Sequence, residues 1–455
     1  MHDRSHHLRR KLLLRLVAPL TFLTFLSSLD RVNVSFAALQ MNRALGLDPE
    51  RYGFGVGLFF VGYLSFQFPH TALLKRIGAR RWIFAAVFSW GAVATCMAFV
   101  QNATHFYVLR VLLGVAEAGF APGIVYVMSQ WMPKRFRASA IAGSMLAIPI
   151  SVVFGGPLSG WLMTMQPAMP GWRFMFLAEG GLTLLVALIT PFYFVDEPEQ
   201  ARWLSDDEKR WLGAERGRDA EAHEPGDARM ATSIRDMLTS GRVWAAAGVW
   251  FSLMCGAYGI IFWLPQVIKQ LSGLSDLEVS VLSALPWLGL GCGMLVNAWH
   301  SDRTQERYLH IAAPAALAAV GLGAGASVPP GWLALSFLVI GGFGLGSAQG
   351  AFWALPTSFL DRRVAASGIT LINLLGSSGG LIAPPAIGWV RGATGSFTHP
   401  VYALSALLVL GGSLALAMRR RARAASEFLR NSAPDADSLQ TAPHLSRQET
   451  LPSSQ

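Results

Sequence analysis

Apolar stretches about twenty residues long recur throughout this 455-residue chain, and no other feature limits its fold so tightly. A helix rises about 1.5 Å per residue, so ~20 apolar residues cross the ~30 Å hydrocarbon core of a bilayer. No water is available there, so each backbone N–H and C=O must be paired within the structure, and a helix does this by itself. The pattern predicts twelve spans, at roughly 14–37, 52–77, 82–100, 104–130, 138–165, 172–195, 242–270, 277–299, 307–327, 332–359, 364–391 and 398–419. Only 14% of the residues are charged, which excludes an ordinary soluble domain.

The formal net charge of +10 raises nucleic acid as a partner, but the placement of the charge argues against it. Basic residues fill alternate loops: Arg9, Arg10 and Lys11; Lys75, Arg76, Arg80 and Arg81; Lys134, Arg135 and Arg137; Arg303 and Arg307; Arg362 and Arg363; and 419-RRRAR-423. The intervening loops, such as 101-QNAT-104 and 328-VPPG-331, carry none. This bias places both termini in the cytoplasm. No cleavable signal is expected, because MHDRSHHLRRK leads straight into a full-length span. Cys96, Cys255 and Cys292 are isolated, without metal-type spacing, and read as small core residues.

Four regions follow: an N-terminal six-helix half (1–195), a charged cytoplasmic linker (196–241), a second six-helix half (242–420) and a Ser/Pro/Gln-rich disordered tail (421–455). Ser205 and Glu208 fit a capping box, so a short amphipathic helix is expected to start within an otherwise solvated linker. The halves are related. Ala138-Ser139 precedes 157-PLSGW-161, and Ala366-Ser367 precedes 385-PAIGW-389 with the same spacing. Likewise 114-GVAEAGFAP-122 and 344-GLGSAQGAFWALP-356 are small-residue helices that end in proline. Parallel repeats of this kind place a transport site at their interface. The run 341-GGFGLG-346 lies mid-span, with no strand before it and no lysine after it, so it reads as helix packing rather than a phosphate loop.

Asp30 and Arg31 in the first span and Arg110 and Glu117 in the fourth are ionisable groups at membrane depth. Each costs roughly 2.5–3.5 kcal/mol there, so they must face a wet cavity or one another. Arg110 and Glu117 are two helical turns apart on one face, with Gly114 between them leaving room for a ligand or a neighbouring helix. Asp30 and Arg31 diverge by about 100° and cannot pair with each other. The expected cross-pair is Asp30 with Arg110, which leaves Arg31 for a substrate. Arg173 and Glu179, in the sixth span, lie off one face and read as structural. Tyr63, Gln67, Tyr258, Gln349, Trp353, Asn373 and Ser377 are polar or aromatic at comparable depth, and as a set they suit a small polar solute.

The blocks 29-LDRVNVSFA-37, 110-RVLLGVAEAGFAPG-123, 171-GWRFMFLAEG-180, 257-AYGIIFWLP-265 and 300-HSDRTQER-307 together resemble the anion:cation symporter family of the major facilitator superfamily. The likeness spans nearly all of residues 12–419. It implies an all-α membrane protein that imports small organic anions such as sugar acids, tartrate-like dicarboxylates or aromatic acids, in a bacterial inner membrane. In such carriers the residues matching Arg31 and Arg110 bind the anion, and those matching Asp30 and Glu117 take up protons. Tyr63, Trp353 and Asn373 match pocket positions of the sugar-acid carriers. Lys75, Arg76, Arg80 and Arg81 match the conserved cytoplasmic gating loop, with Lys75 replacing its usual acid, and Asp302 and Arg303 match the loop of the second half. Ser28 stands where many members have tyrosine.

No cofactor or metal is expected; the proton gradient supplies the energy, and the partners are an organic anion, protons and the lipid bilayer around a monomer. Three rival readings use the same fold: efflux of an organic anion, exchange of phosphorylated solutes for phosphate, and a sensor that does not transport. An enzyme is not expected, because no nucleophile–base pair or metal-ligand cluster emerges.

Overall fold

The computed structural model describes residues 2–165, 168–221, 237–329, 331–360 and 365–432. Arg362 and Arg363, linker residues 222–236 and the chain beyond Ser432 lie outside the described residues.

Helices cross the membrane in the predicted order. They are α1 (His7–Leu45), α2 (Pro49–Ile77), α3 (Ala79–Phe99), α4 (Ala103–Trp131), α5 (Gly143–Thr164), α6 (Gly171–Tyr193), α7 (Gly241–Gln270), α8 (Asp276–Thr304), α9 (Leu309–Ser327), α10 (Trp332–Phe359), α11 (Gly368–Thr394) and α12 (Thr398–Ala424). Eleven are long and apolar enough to span by composition alone. The other is α2, equally long but diluted by glycines, Tyr52, Tyr63, Gln67, Pro69 and His70. Of these, Tyr52, Gly53 and Gly57 meet the second half, at Phe262, Pro384 and Pro385.

The helices meet through small residues, as membrane helices without a hydrophobic drive between them do. A Cβ at Gly114 of α4 would stand 1.9 Å from the Phe59 carbonyl oxygen. That glycine therefore admits α2 rather than a ligand. Gly342 and Gly346 of α10 sit as closely on the Pro286 and Leu290 carbonyls of α8, which makes the glycine run a packing seam. The repeated Pro-x-x-Gly-Trp blocks mark the pseudo-twofold. Gly160 in α5 packs on Ser280 at the start of α8, and Gly388 in α11 packs on Pro49 at the start of α2. Each block thus clasps the same corner of the opposite half, and Trp161 and Trp389 face outward from it.

Three readings change. Cys96 and Cys292 are exposed on the helix surface, and only Cys255 is buried, because lipid accommodates a small apolar side chain as well as a core does. The linker is not simply solvated. Ser205 and Glu208 form their reciprocal cap (2.8 and 3.3 Å), Trp203 stacks on Trp131, and Leu204 and Leu212 are buried. Lys11 donates to both Glu208 oxygens at 2.9 Å. Glu208 is held below its ordinary carboxyl pKa: partial burial pushes it up, but the Ser205 N–H and the Lys11 ammonium outweigh that. Finally, the last helix continues to Ser432 instead of giving way at residue 421, as its Ala, Arg, Leu and Glu content favours.

Candidate functional site

The two halves touch on the side away from the termini. Gln40 donates to Asp276 (3.2 Å) and accepts from the Trp172 N–H (3.2 Å). Asn42 donates to Gln266 (3.4 Å), and Tyr52 donates its hydroxyl to the Phe262 carbonyl (2.9 Å). Lys269, of the same half as Asp276, holds that carboxylate at 2.9 Å. Gly53 approaches Pro384 so closely that a Cβ would lie 2.5 Å from its carbonyl oxygen. On the termini side, the gating-loop residues bond within their own halves. Asp302 pairs with Arg307, and Arg303 covers Trp299. Lys75, Arg76, Arg80 and Arg81 are exposed. Asp196, just past the end of α6, sits at the start of α3. Its carboxylate accepts from the Arg80 N–H (2.9 Å), beside Gly78 at φ +84°, which a side chain would strain. The closed face is therefore opposite the termini.

At the centre of this arrangement, the expected pairing is exchanged. Arg31, not Arg110, takes the carboxylate across the bundle: its Nη2 and Nε lie 2.8 and 3.1 Å from Glu117 Oε2. Ser27 donates to the same oxygen at 3.3 Å. Asp30 turns the other way, to α6, where Thr183 Oγ1 lies 3.0 Å from its Oδ2. The ~100° divergence of adjacent helical residues thus separates them as expected, but to the opposite neighbours.

Arg110 is fully buried, and its Nε and Nη2 have no hydrogen-bond partner. Its guanidinium lies over Phe59 of α2 (4.9 Å) and Phe262 of α7 (5.8 Å), so it faces the joint between the halves. Arg31 lies over Tyr63 (4.9 Å) and Phe59 (5.2 Å) and also interacts with Tyr258 from α7. Two guanidiniums, one paired and one unpaired, therefore share an aromatic floor that both halves supply.

Other predicted positions stay apart from this centre. Gln67 is half-buried one turn beyond Tyr63. Trp353 stands edge-on to Trp250 at 4.8 Å, and Ser377 donates to Asn373 at 3.4 Å, all within the second half. Trp353 and Ser377 sit beside breaks in α10 and α11, and Glu117 beside a break in α4. Helix breaks at membrane depth are tolerated where they line a cavity. Ser28 is buried in α1. Gln349 Nε2 has no partner.

Glu179, read as structural from the sequence, accepts from Ser159 (2.7 Å) and Asn33 (3.0 Å). The sequence reading missed Asn33, Ser159 and Thr183. The available signal was spacing, since Asn33 follows Asp30 by three residues and Thr183 follows Glu179 by four, each on the same helix face.

Residues 20–384 match the family model described as the Major Facilitator Superfamily. Over 428 residues the chain is 41% identical to a putative tartrate transporter of Agrobacterium vitis, covering 94% of each chain. It is 36% identical over 410 residues to a quinolone resistance transporter of Acinetobacter baumannii, covering 88% of this chain and 92% of the relative. In structure it is similar to a bacterial homologue of the human lysosomal transporter Spinster, crystallised inward-facing and unoccupied. The TM-score is 0.76 over 89% of this chain and 96% of that one, and at 16% identity the likeness concerns the fold alone.

Proposed function

Because the chain belongs to the major facilitator superfamily, on its anion:cation symporter-like branch, we propose that it carries a small organic anion together with protons by alternating access. It is a multi-pass protein of the bacterial inner membrane and a transporter rather than an enzyme. The observation that carries the proposal is Arg110: a buried guanidinium with two unpartnered donors at the joint between the halves. A carboxylate matches that fork in charge and geometry. The tartrate in the relative's name fits the pair of arginines, since a dicarboxylate has one group for each.

Coupling follows from the Arg31–Glu117 pair. An incoming anion that engages Arg31 deprives Glu117 of its cation in a low-dielectric setting, and Glu117 then takes a proton. Anion and proton favour each other by the same factor. With Asp30 also protonated, the loaded carrier hides its charge and the halves can rock. If the termini are cytoplasmic, as the loop charges indicate, the closed face is periplasmic and this is the inward-facing state. Uptake into proteoliposomes under an imposed pH gradient tests the proposal. Glu117→Gln is expected to abolish concentrative uptake while sparing substrate counterflow; a variant that still concentrates substrate contradicts the role given to Glu117. The relative named for quinolone resistance favours a second reading, export of an organic anion through the same site. Substrate-driven proton movement in everted vesicles separates the two directions.

A further inference from the structure

Behind α1, away from the arginines, the first half holds a second pair of acids. Asp30 and Glu179 are 1% and 3% exposed. The intramembrane arginines of this half are engaged elsewhere. Arg31 bonds Glu117, Arg110 lies over Phe59 and Phe262, and Arg173 donates to the Ala98 and Val100 carbonyls at 2.7 and 2.8 Å. The groups around the two acids are neutral: Asn33 from α1, Trp90 from α3, Ser159 from α5 and Thr183 from α6. The charged group nearest beyond them is Glu117 of α4, itself an acid and already paired. Two carboxylates in such a setting cannot both ionise without a large penalty.

The two carboxyl groups differ in how their oxygens are hydrogen-bonded. Thr183 Oγ1 is 3.1 Å from the Glu179 carbonyl oxygen and 3.0 Å from Asp30 Oδ2. A hydroxyl has one hydrogen, and a carbonyl can only accept. If Thr183 donates to the carbonyl, the hydrogen in the bond to Asp30 belongs to Asp30. The Trp90 indole stands near the same carboxyl group, but its Nε1 and Asp30 Oδ1 are both buried without a hydrogen-bond partner, so that oxygen lacks the donors a carboxylate needs. Glu179 differs, because each of its oxygens accepts a bond, from Ser159 and from Asn33, and that arrangement suits an anion.

We infer that Asp30 and Glu179 are one proton-holding unit in which Asp30 carries the proton and Glu179 is the positioning acid that keeps it there. Glu179 acts through its negative charge, which makes proton release from Asp30 harder. Asn33 lies one turn along α1 from Asp30, so the unit also ties the substrate-bearing helix to α6. Only the role of this proton in transport rests on the symport reading; the protonation itself does not.

Infrared difference titration of the purified protein in nanodiscs tests it, following the C=O stretch of buried carboxylic acids. Asp30→Asn identifies the Asp30 band. Glu179→Gln keeps the size and the hydrogen bonds but loses the charge, and it should move the Asp30 midpoint at least about one pH unit lower. Thr183→Val removes the acceptor of the Asp30 proton and should shift the midpoint in the same direction, with Thr183→Ser restoring it. Thr183→Val also serves if Glu179→Gln does not fold. An Asp30 midpoint unchanged in these variants, or no Asp30 acid band at neutral pH in the unaltered protein, overturns the inference. If the bands behave as expected but uptake ignores a pH gradient, the symport reading fails and the unit stands. If uptake is proton-driven while the midpoint ignores Glu179, the inference fails alone.

Discussion

Replacing Arg110 with methionine is expected to stabilise the empty protein and abolish its affinity for anions. Arg110 is fully buried with Nε and Nη2 unpartnered, and each buried unsatisfied group of this kind costs about 1–3 kcal/mol. The contacts over Phe59 (4.9 Å) and Phe262 (5.8 Å) offset part of that, at roughly 0.5–2 kcal/mol each. A net penalty of about 1–3 kcal/mol remains for methionine to remove, since it fills a similar apolar volume without the charge. A bound carboxylate that took both donors would make two charge-assisted bonds of about 1.5–3 kcal/mol each. Their loss weakens binding by roughly a hundred- to ten-thousand-fold. Thermal unfolding of the purified protein, with and without tartrate or an aromatic carboxylate, reads both effects. The variant should melt higher than the unaltered protein when empty and gain nothing from ligand. Arg110→Lys, which keeps the charge but not the fork, should bind with intermediate affinity. If Arg110→Met melts lower and still gains stability from the anion, Arg110 is a packing element and the reasoning fails.

Two further perturbations probe the gate and the linker. Gly53→Val places side-chain atoms against the Pro384 carbonyl and Trp263, where a Cβ alone would lie 2.5 and 3.1 Å away. Overpacking of about 1–3 kcal/mol should push the halves apart on that face. Maleimide labelling of a cysteine at Gln40, in a protein lacking Cys96, Cys255 and Cys292, should then rise several-fold from the side opposite the termini, and unchanged labelling counts against a closed interface there. Glu208→Gln tests the strap between the linker and α1. Glu208 titrates below its ordinary range in the folded protein, so its stabilisation is complete at neutral pH and is lost as pH falls through that lowered value. The variant should melt lower than the unaltered protein at pH 7, and the gap should close under acid; a gap independent of pH would mean that Lys11 contributes nothing through charge.

The site was legible unevenly, and particular residues show why. Arg31, Arg110, Asp30 and Glu117 stand out in sequence because charge at membrane depth is costly wherever its partner lies. The partner itself is set by helix rotation, which spacing within one helix does not report. Hence Arg31 bonds Glu117, and Asp30 turns to Thr183. Glu179 was read against Arg173 along one helix. Its actual neighbours, Ser159 and Asn33, come from two others. Tyr63 and Tyr258 do gather at Arg31, whereas Trp353, Asn373 and Ser377 line only their own half in this state.

Read alone, the chain already reveals that it crosses the membrane as helices and which ionisable groups lie at membrane depth. Both follow from local properties: apolar length and the cost of a charge in hydrocarbon. Which acid meets which arginine, which face is shut, that Asp196 accepts from the Arg80 N–H at the start of α3 and that Asp30 and Glu179 meet at Thr183 emerge only from the packed helices. Those depend on how each helix is turned against its neighbours. In a bilayer that rotation is fixed by glycine seams such as Gly114 against Phe59. A glycine in a sequence shows that a close approach is possible, but not what approaches.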